Sequence, residues 1–121
     1  MAYKITESKL QESCVTWFRY NYPTLKLCLF AVPNSLFIYG VPKQKLMSAG
    51  AKQKREGLIA GVPDLVLMYN GTAYGVEMKL PYNKLQDVQE KVHESWKSQG
   101  IEVFVIRSFE EFKKLIESII K

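Results

Sequence analysis

The sequence predicts an α/β fold: a small mixed β-sheet flanked by helices, in the order α-β-β-β-α-β-α. Three observations carry this. Asn70-Gly71 lies between two apolar runs, a strong short-range hairpin signal because both turn residues need positive φ. A nearly all-apolar run over 101–106 reads as a strand. Segments with apolar stripes at helical spacing lie before, between and after the strands, and supply layers to cover a sheet.

Each element has a local cause. Thr6 or Ser8 can cap a first helix running to Tyr20, with Leu10, Cys14, Trp17 and Phe18 as its apolar stripe and Pro23 as its stop. Residues 25–32 are rich in apolar side chains and read as a strand. Residues 33–57 contain Pro33, Gly40, Pro42, Gly50 and Gly57 and show no sustained period, so they read as a long loop. Strands over 62–69 and 72–80 form the hairpin. Pro81-Tyr82-Asn83 then breaks the chain and caps a helix to Gln99, with Leu85, Val88, Val92 and Trp96 as its buried stripe. Ser108 and Glu111 have the spacing of a capping box for a last helix carrying Phe112, Leu115, Ile116, Ile119 and Ile120. Trp17 and Trp96 are assigned to the core, and core packing is also the reading for Tyr20, Tyr22, Phe30 and Phe37.

With 121 residues, 47% of them hydrophobic, the chain is read as a single domain over 1–121 and is too apolar to be disordered. Two cysteines, Cys14 and Cys28, make no disulfide framework, and with the lone His93 they leave a tetrahedral zinc site short of a ligand. No apolar run has the length of a membrane span, and the first residues lack the apolar centre of a signal peptide. The expectation is an intracellular, soluble protein with no membrane partner.

Charge is unevenly placed. Seventeen Lys and Arg against twelve Asp and Glu give a net charge of +5, a mild tilt towards an anionic partner. From Ser13 to Arg55 there is no Asp or Glu, and Lys43, Lys45, Lys52, Lys54 and Arg55 close that stretch. Phosphate contacts need cations without neighbouring carboxylates. The basic stretch is also the long loop, so two separate oddities coincide there.

The hairpin picks out a site. If Tyr69 pairs with Thr72, Val66 faces Gly75 and Asp64 faces Glu77; strand alternation puts Lys79 on the same side as Glu77. Opposed residues have Cβ atoms about 4.5–5.5 Å apart. Two carboxylates that close repel by about 3 kcal/mol at an effective dielectric of about 20. The offset is an ion-paired triad with Lys79, a proton shared within the pair, or a divalent cation, for which oxygen ligands favour Mg²⁺ or Mn²⁺. Leu65, Leu67, Val76 and Met78 form the apolar opposite face.

These residues resemble a known family. Val62-Pro63-Asp64 followed by Glu77-Met78-Lys79 resembles the PD-(D/E)xK nuclease signature, whose fold is restriction-endonuclease-like. Gly61-Val62-Pro63-Asp64-Leu65, the downstream Gln89 and the upstream Glu7-Ser8-Lys9-Leu10-Gln11 are similar to its VRR-NUC branch, over nearly the whole chain. The resemblance implies that Asp64 and Glu77 bind Mg²⁺ or Mn²⁺ with the Met78 carbonyl as a further ligand. It implies that Lys79 orients or helps deprotonate the attacking water, that Glu7 completes the metal shell directly or through water, and that Gln89 holds Lys79 or the scissile phosphate. Independently of the family, Gln89 lies beside Leu85, Val88 and Val92, so it faces the sheet and needs a polar partner. Asn34, in a Pro33-Asn34 pair that the family shares, joins Lys43, Lys45, Lys52, Lys54 and Arg55 as an expected nucleic-acid contact. The chain departs from the family at Asn83 and Gln86-Asp87, where a Gly and a Ser-Pro pair are usual, and at Ser35 and Leu36, where glycines are.

Stand-alone members of this size are similar to viral or bacterial Holliday-junction resolvases. The implied function is metal-dependent, structure-selective DNA cleavage by a homodimer. The alternatives are a flap or single-strand DNA nuclease of the same superfamily, and a non-catalytic DNA-binding module that would need no clustered acids. A His-centred ββα metal nuclease is disfavoured, because His93 falls on the solvent side of its helix and reads as an ordinary surface histidine.

Overall fold

The computed structural model describes residues 5–33 and 50–121. Helix α1 (Glu7–Asn21) starts at Thr6, whose hydroxyl accepts from Lys9 N at 3.1 Å. It buries Leu10, Cys14 and Phe18, while Trp17 is half-buried and meets Phe109 and Phe112 edge-on. A short 3₁₀ turn (Pro23–Leu25) leads into strand β1 (Leu29–Ala31). Residues 50–55 are helical and are termed α2. Strands β2 (Leu65–Tyr69) and β3 (Thr72–Met78), helix α3 (Asp87–Ser98), strand β4 (Glu102–Ile106) and helix α4 (Phe109–Ile119) follow.

The four-stranded sheet of the described residues has the order β1-β2-β3-β4. β1 and β3 run antiparallel to β2, and β4 runs parallel to β3. A parallel pair needs a crossover, and α3 provides it. The hairpin pairs Tyr69 with Thr72 as the sequence predicts. Asn70 at φ 52° and Gly71 at φ 79° make its turn, a conformation that matches the right-handed twist of the strands. α1 and α4 cover one face of the sheet, where Leu10, Cys14 and Phe18 meet Leu29, Leu65, Leu67, Val76 and Met78, with Ile106, Phe112 and Ile116. On the other face Trp96 of α3 lies over Gly75, beside Pro63 and Val103. Both cysteines are free, and burial pushes the Cys14 thiol up to about 12. Among the described residues no helix is long and apolar enough to cross a membrane.

Four local expectations need correction. The strand over 25–32 shrinks to Leu29–Ala31, because Leu25 N bonds Tyr22 O and Cys28 N bonds Leu25 O, turning the chain first. The segment read as loop contains α2 at its far end. The central helix starts at Asp87 rather than after Asn83, and its stripe is half-covered: Val88 is exposed and Leu85, Val92 and Trp96 are intermediate. Of the aromatics, Tyr20 is 85% exposed and Phe30 40%, so neither is core. Phe37 lies outside the described residues.

Candidate active site

Asp64 stands one residue ahead of β2, and the register that ends at Leu65↔Val76 continues to place it opposite Glu77. Two hydrogen bonds hold it there. Its carbonyl accepts from Val32 N at 3.0 Å, and its Oδ2 accepts from Met78 N at 2.7 Å. The carboxylate therefore leans on the backbone next to Glu77 while Oδ1 stays uncommitted to these bonds.

Glu77 is only 1% exposed. Burial pushes its carboxyl up to about 9, and the Asp64 carboxylate, within hydrogen-bonding reach, pushes the same way; the charge of Lys79 opposes and that of Glu7 adds to the rise. Both oxygens of Glu77 have partners on α3: Gln89 Nε2 donates to Oε2 at 3.3 Å, and His93 Nε2 lies 3.1 Å from Oε1. Gln89 also accepts from Gln86 N at 2.8 Å through its own Oε1, in a reciprocal capping box at the start of α3. Its amide thus faces the sheet, as the sequence predicts, but its partner is Glu77 rather than Lys79.

His93 corrects the sequence reading outright. It is not a surface histidine: its side chain is 14% exposed and directed at Glu77. Burial, the largest influence, lowers its imidazole below the ordinary value, against the opposing charges of Asp64 and Glu90. The spacing Gln89–His93, one helical turn, was the available signal.

Lys79 is 7% exposed, and among the described residues its ammonium makes neither a hydrogen bond nor an ion pair. A buried cation without a partner is costly, so its place beside the acid pair calls for an explanation. Its backbone N donates to Ile106 O at 3.0 Å, which ties the residue to β4.

Glu7 reaches the same region from the first turn of α1. Its Oε2 accepts from Leu80 N at 3.2 Å and from Asn83 Nδ2 at 2.8 Å. Arg107, which the sequence did not single out, secures the same turn: Nη1 donates to Leu80 O at 2.9 Å and Asn83 O at 2.7 Å. Asn83 Nδ2 is committed to Glu7, and α3 is capped by Gln86 instead. A groove of about 570 Å³ between α1 and β1 opens onto Glu7, Asp64 and Met78, with Gln11 and Arg19 further along.

The donor set suits a hard cation. It consists of carboxylate oxygens on Asp64 and Glu77, with the Met78 backbone beside them. Among the described residues no three His, Cys, Asp or Glu converge into a ready cage. Mg²⁺ is commonly held by only one or two carboxylates and keeps several waters, so the pair fits that ion. Lys52, Lys54 and Arg55 are exposed on or at the end of α2; Asn34, Lys43 and Lys45 lie outside the described residues.

A helix-flanked mixed sheet with opposed carboxylates at a hairpin end and a buried lysine beside them defines a domain of the nuclease type. Residues 5–110 match the VRR-NUC domain, and the chain belongs to that family. Two solved structures share the fold. One, a VRR_NUC domain protein, is 20% identical, with 98% of this chain and 91% of that one covered at a TM-score of 0.75. The other, a VRR_NUC domain, is 25% identical, with 92% and 94% covered at a TM-score of 0.57. No curated protein matches the chain.

Proposed function

We propose that this nuclease is a metal-dependent, structure-selective DNA endonuclease, similar to Holliday-junction resolvases and working as a homodimer. The observation that carries the reading is Glu77, buried against Asp64 with the buried Lys79 near it. Asp64 and Glu77 would hold Mg²⁺ or Mn²⁺, with the Met78 carbonyl as a further oxygen ligand. A bound cation lowers the pKa of a water and stabilises charge developing on the phosphate. Lys79 adds a positive charge from within the protein, where low dielectric strengthens it, and holds the attacking water by a hydrogen bond. Gln89 fixes Glu77. Glu7, through the turn at 80–83, fixes the chain that follows Lys79, and its other oxygen would complete the metal shell directly or through water.

Lys52, Lys54 and Arg55 would bind the DNA backbone without reading sequence, together with Asn34, Lys43 and Lys45. Such contacts suit selection by DNA shape. A domain of this size spans few phosphates, which supports a two-fold dimer acting on two strands.

Cleavage of labelled four-way junction, flap, duplex and single-stranded DNA, with Mg²⁺ or Mn²⁺, tests this directly. Metal-dependent cutting that prefers the junction and vanishes in Glu77→Ala is the expected result. Preference for the flap or the single strand replaces the resolvase reading with that of a related nuclease. Binding without cutting under either metal leaves a DNA-binding module and overturns the proposal. Light scattering of the protein, free and DNA-bound, checks the dimer.

A further inference from the structure

The groove onto which Asp64 and Glu7 open is lined from α1, β1 and the hairpin strands, and His93 has no part in it. His93 comes to Glu77 from α3, and it also lines a separate groove of about 400 Å³ with Glu94, Lys97, Glu102 and Val103. It is therefore placed behind the acid pair, in contact with one of the two acids.

A glutamate has several rotatable bonds, and burial alone does not choose among its rotamers. At Glu77 the choice is made by two side chains one turn apart on a single helix. Gln89 Nε2 sits 3.3 Å from Oε2 and His93 Nε2 3.1 Å from Oε1. Each carboxylate oxygen has two acceptor sites. One donor on each oxygen leaves the remaining lone pairs for the side that Asp64 occupies.

We infer that His93 is a positioning residue for Glu77. With the hydrogen on Nε2 it donates to Oε1 once a cation displaces the Glu77 proton, and together with Gln89 it fixes the orientation in which Glu77 and Asp64 take up that divalent cation. His93 touches neither the cation nor the DNA; it acts through Glu77, as outer-shell partners of carboxylate ligands do. The inference rests on the metal-dependent reading above and adds α3 as the element that sets metal affinity. Gln89, at the first turn of α3, and His93, one turn on, belong to one rigid helix, so both donors move together.

The test is Mn²⁺ binding by calorimetry, without DNA, to the wild type, His93→Leu and His93→Gln. Leucine fills part of the ring's space without a donor, whereas the glutamine amide nitrogen reaches close to the position of Nε2. The expected result is affinity about 10- to 100-fold weaker for His93→Leu, and largely restored for His93→Gln. In cleavage assays His93→Leu should need correspondingly more Mn²⁺ for half-maximal activity, with kcat at saturating metal close to wild type. A purely packing role would not produce rescue by glutamine or a shift in metal demand at constant kcat. Should His93→Leu fail to fold, His93→Asn, one carbon too short to reach Glu77, takes its place against His93→Gln. Wild-type affinity in the leucine or asparagine variant, or a glutamine variant no tighter than either, overturns the inference alone. A wild type that takes up no Mn²⁺ overturns the metal reading and this inference with it.

Discussion

Asp64 Oδ2 accepts a 2.7 Å hydrogen bond from the backbone N of Met78. The side chain thus serves the far strand as a backbone carbonyl would, and the same bond holds the carboxylate against Glu77. Structure and chemistry meet in one residue, and isosteric substitution separates them. Asp64→Asn keeps an acceptor for Met78 N and removes a charge next to a buried acid. It should fold at least as stably as wild type, yet cut no DNA. Asp64→Ala strands the Met78 N–H and should lose about 1–3 kcal/mol. Urea unfolding of the two variants, beside a cleavage assay, reads both effects.

The pH dependence of stability should carry the mark of Glu77. Its folded-state value is about 9 against an ordinary 4.5, so between those limits the folded protein holds a proton that the unfolded chain has released. Stability from this group is complete below the lower limit and is lost as pH rises towards the upper one, by at most about 1.4 kcal/mol per pH unit. Glu77→Gln removes that slope. Added Mg²⁺ or Mn²⁺ should flatten it in the wild type and leave the variant unchanged. Thermal melts of both proteins across this range supply the measurement.

Gly61 lets the chain ahead of β2 pass close to the first turn of α3. It adopts φ +92°, and a Cβ there would stand 2.6 Å from the carbonyl oxygen of Val88, next to Gln89. Gly61→Ala therefore meets both a left-handed backbone and a backbone clash that no rotamer relieves. A loss of about 2 kcal/mol or more is expected. Because the strained helix end bears Gln89, activity at a temperature where the variant is still folded should fall as well. Denaturant titration and single-turnover cleavage would show the two losses together.

Lysine should replace Arg107 only in part. Its Nη1 bonds two carbonyls of the turn after Lys79, Leu80 O and Asn83 O, with Pro81 O more distant at 3.5 Å. Arg107→Ala leaves those carbonyls short of a donor and should cost about 1–3 kcal/mol. Arg107→Lys keeps the charge, but its ammonium does not extend as far as Nη1, so it should recover only part of that. Proteolysis at 80–83 in the folded state should increase in both variants, since among the described residues the turn is otherwise held by Glu7 and its own backbone bond.

Local chemistry made much of this protein legible in its sequence. Asn70-Gly71 sets the hairpin, the hairpin sets the register, and the register brings Asp64 to Glu77. Thr6 and Ser108 cap helices from their own side chains, and the stripe of Leu10, Cys14 and Phe18 chooses the buried face of α1. In each case the partner is a few residues away or directly across a tight turn, so spacing alone carries the information. Over 25–32 the apolar composition hides a turn, and the strand there is confined to Leu29–Ala31.

What the tertiary structure alone decided lies at long sequence separation. Asn83 looks like a helix cap, but its side-chain N–H binds Glu7 and its backbone carbonyl binds Arg107, bonds that hold it in the turn, and α3 starts later, at Asp87. His93 looks like a surface residue until the packing of α3 on the sheet places Glu77 beneath it. These outcomes depend on which elements pack together, and a carboxylate or carbonyl buried by that packing takes whichever donor is within reach. No periodicity in the chain encodes that choice, because the donors and acceptors become neighbours only when the sheet and its helices have assembled.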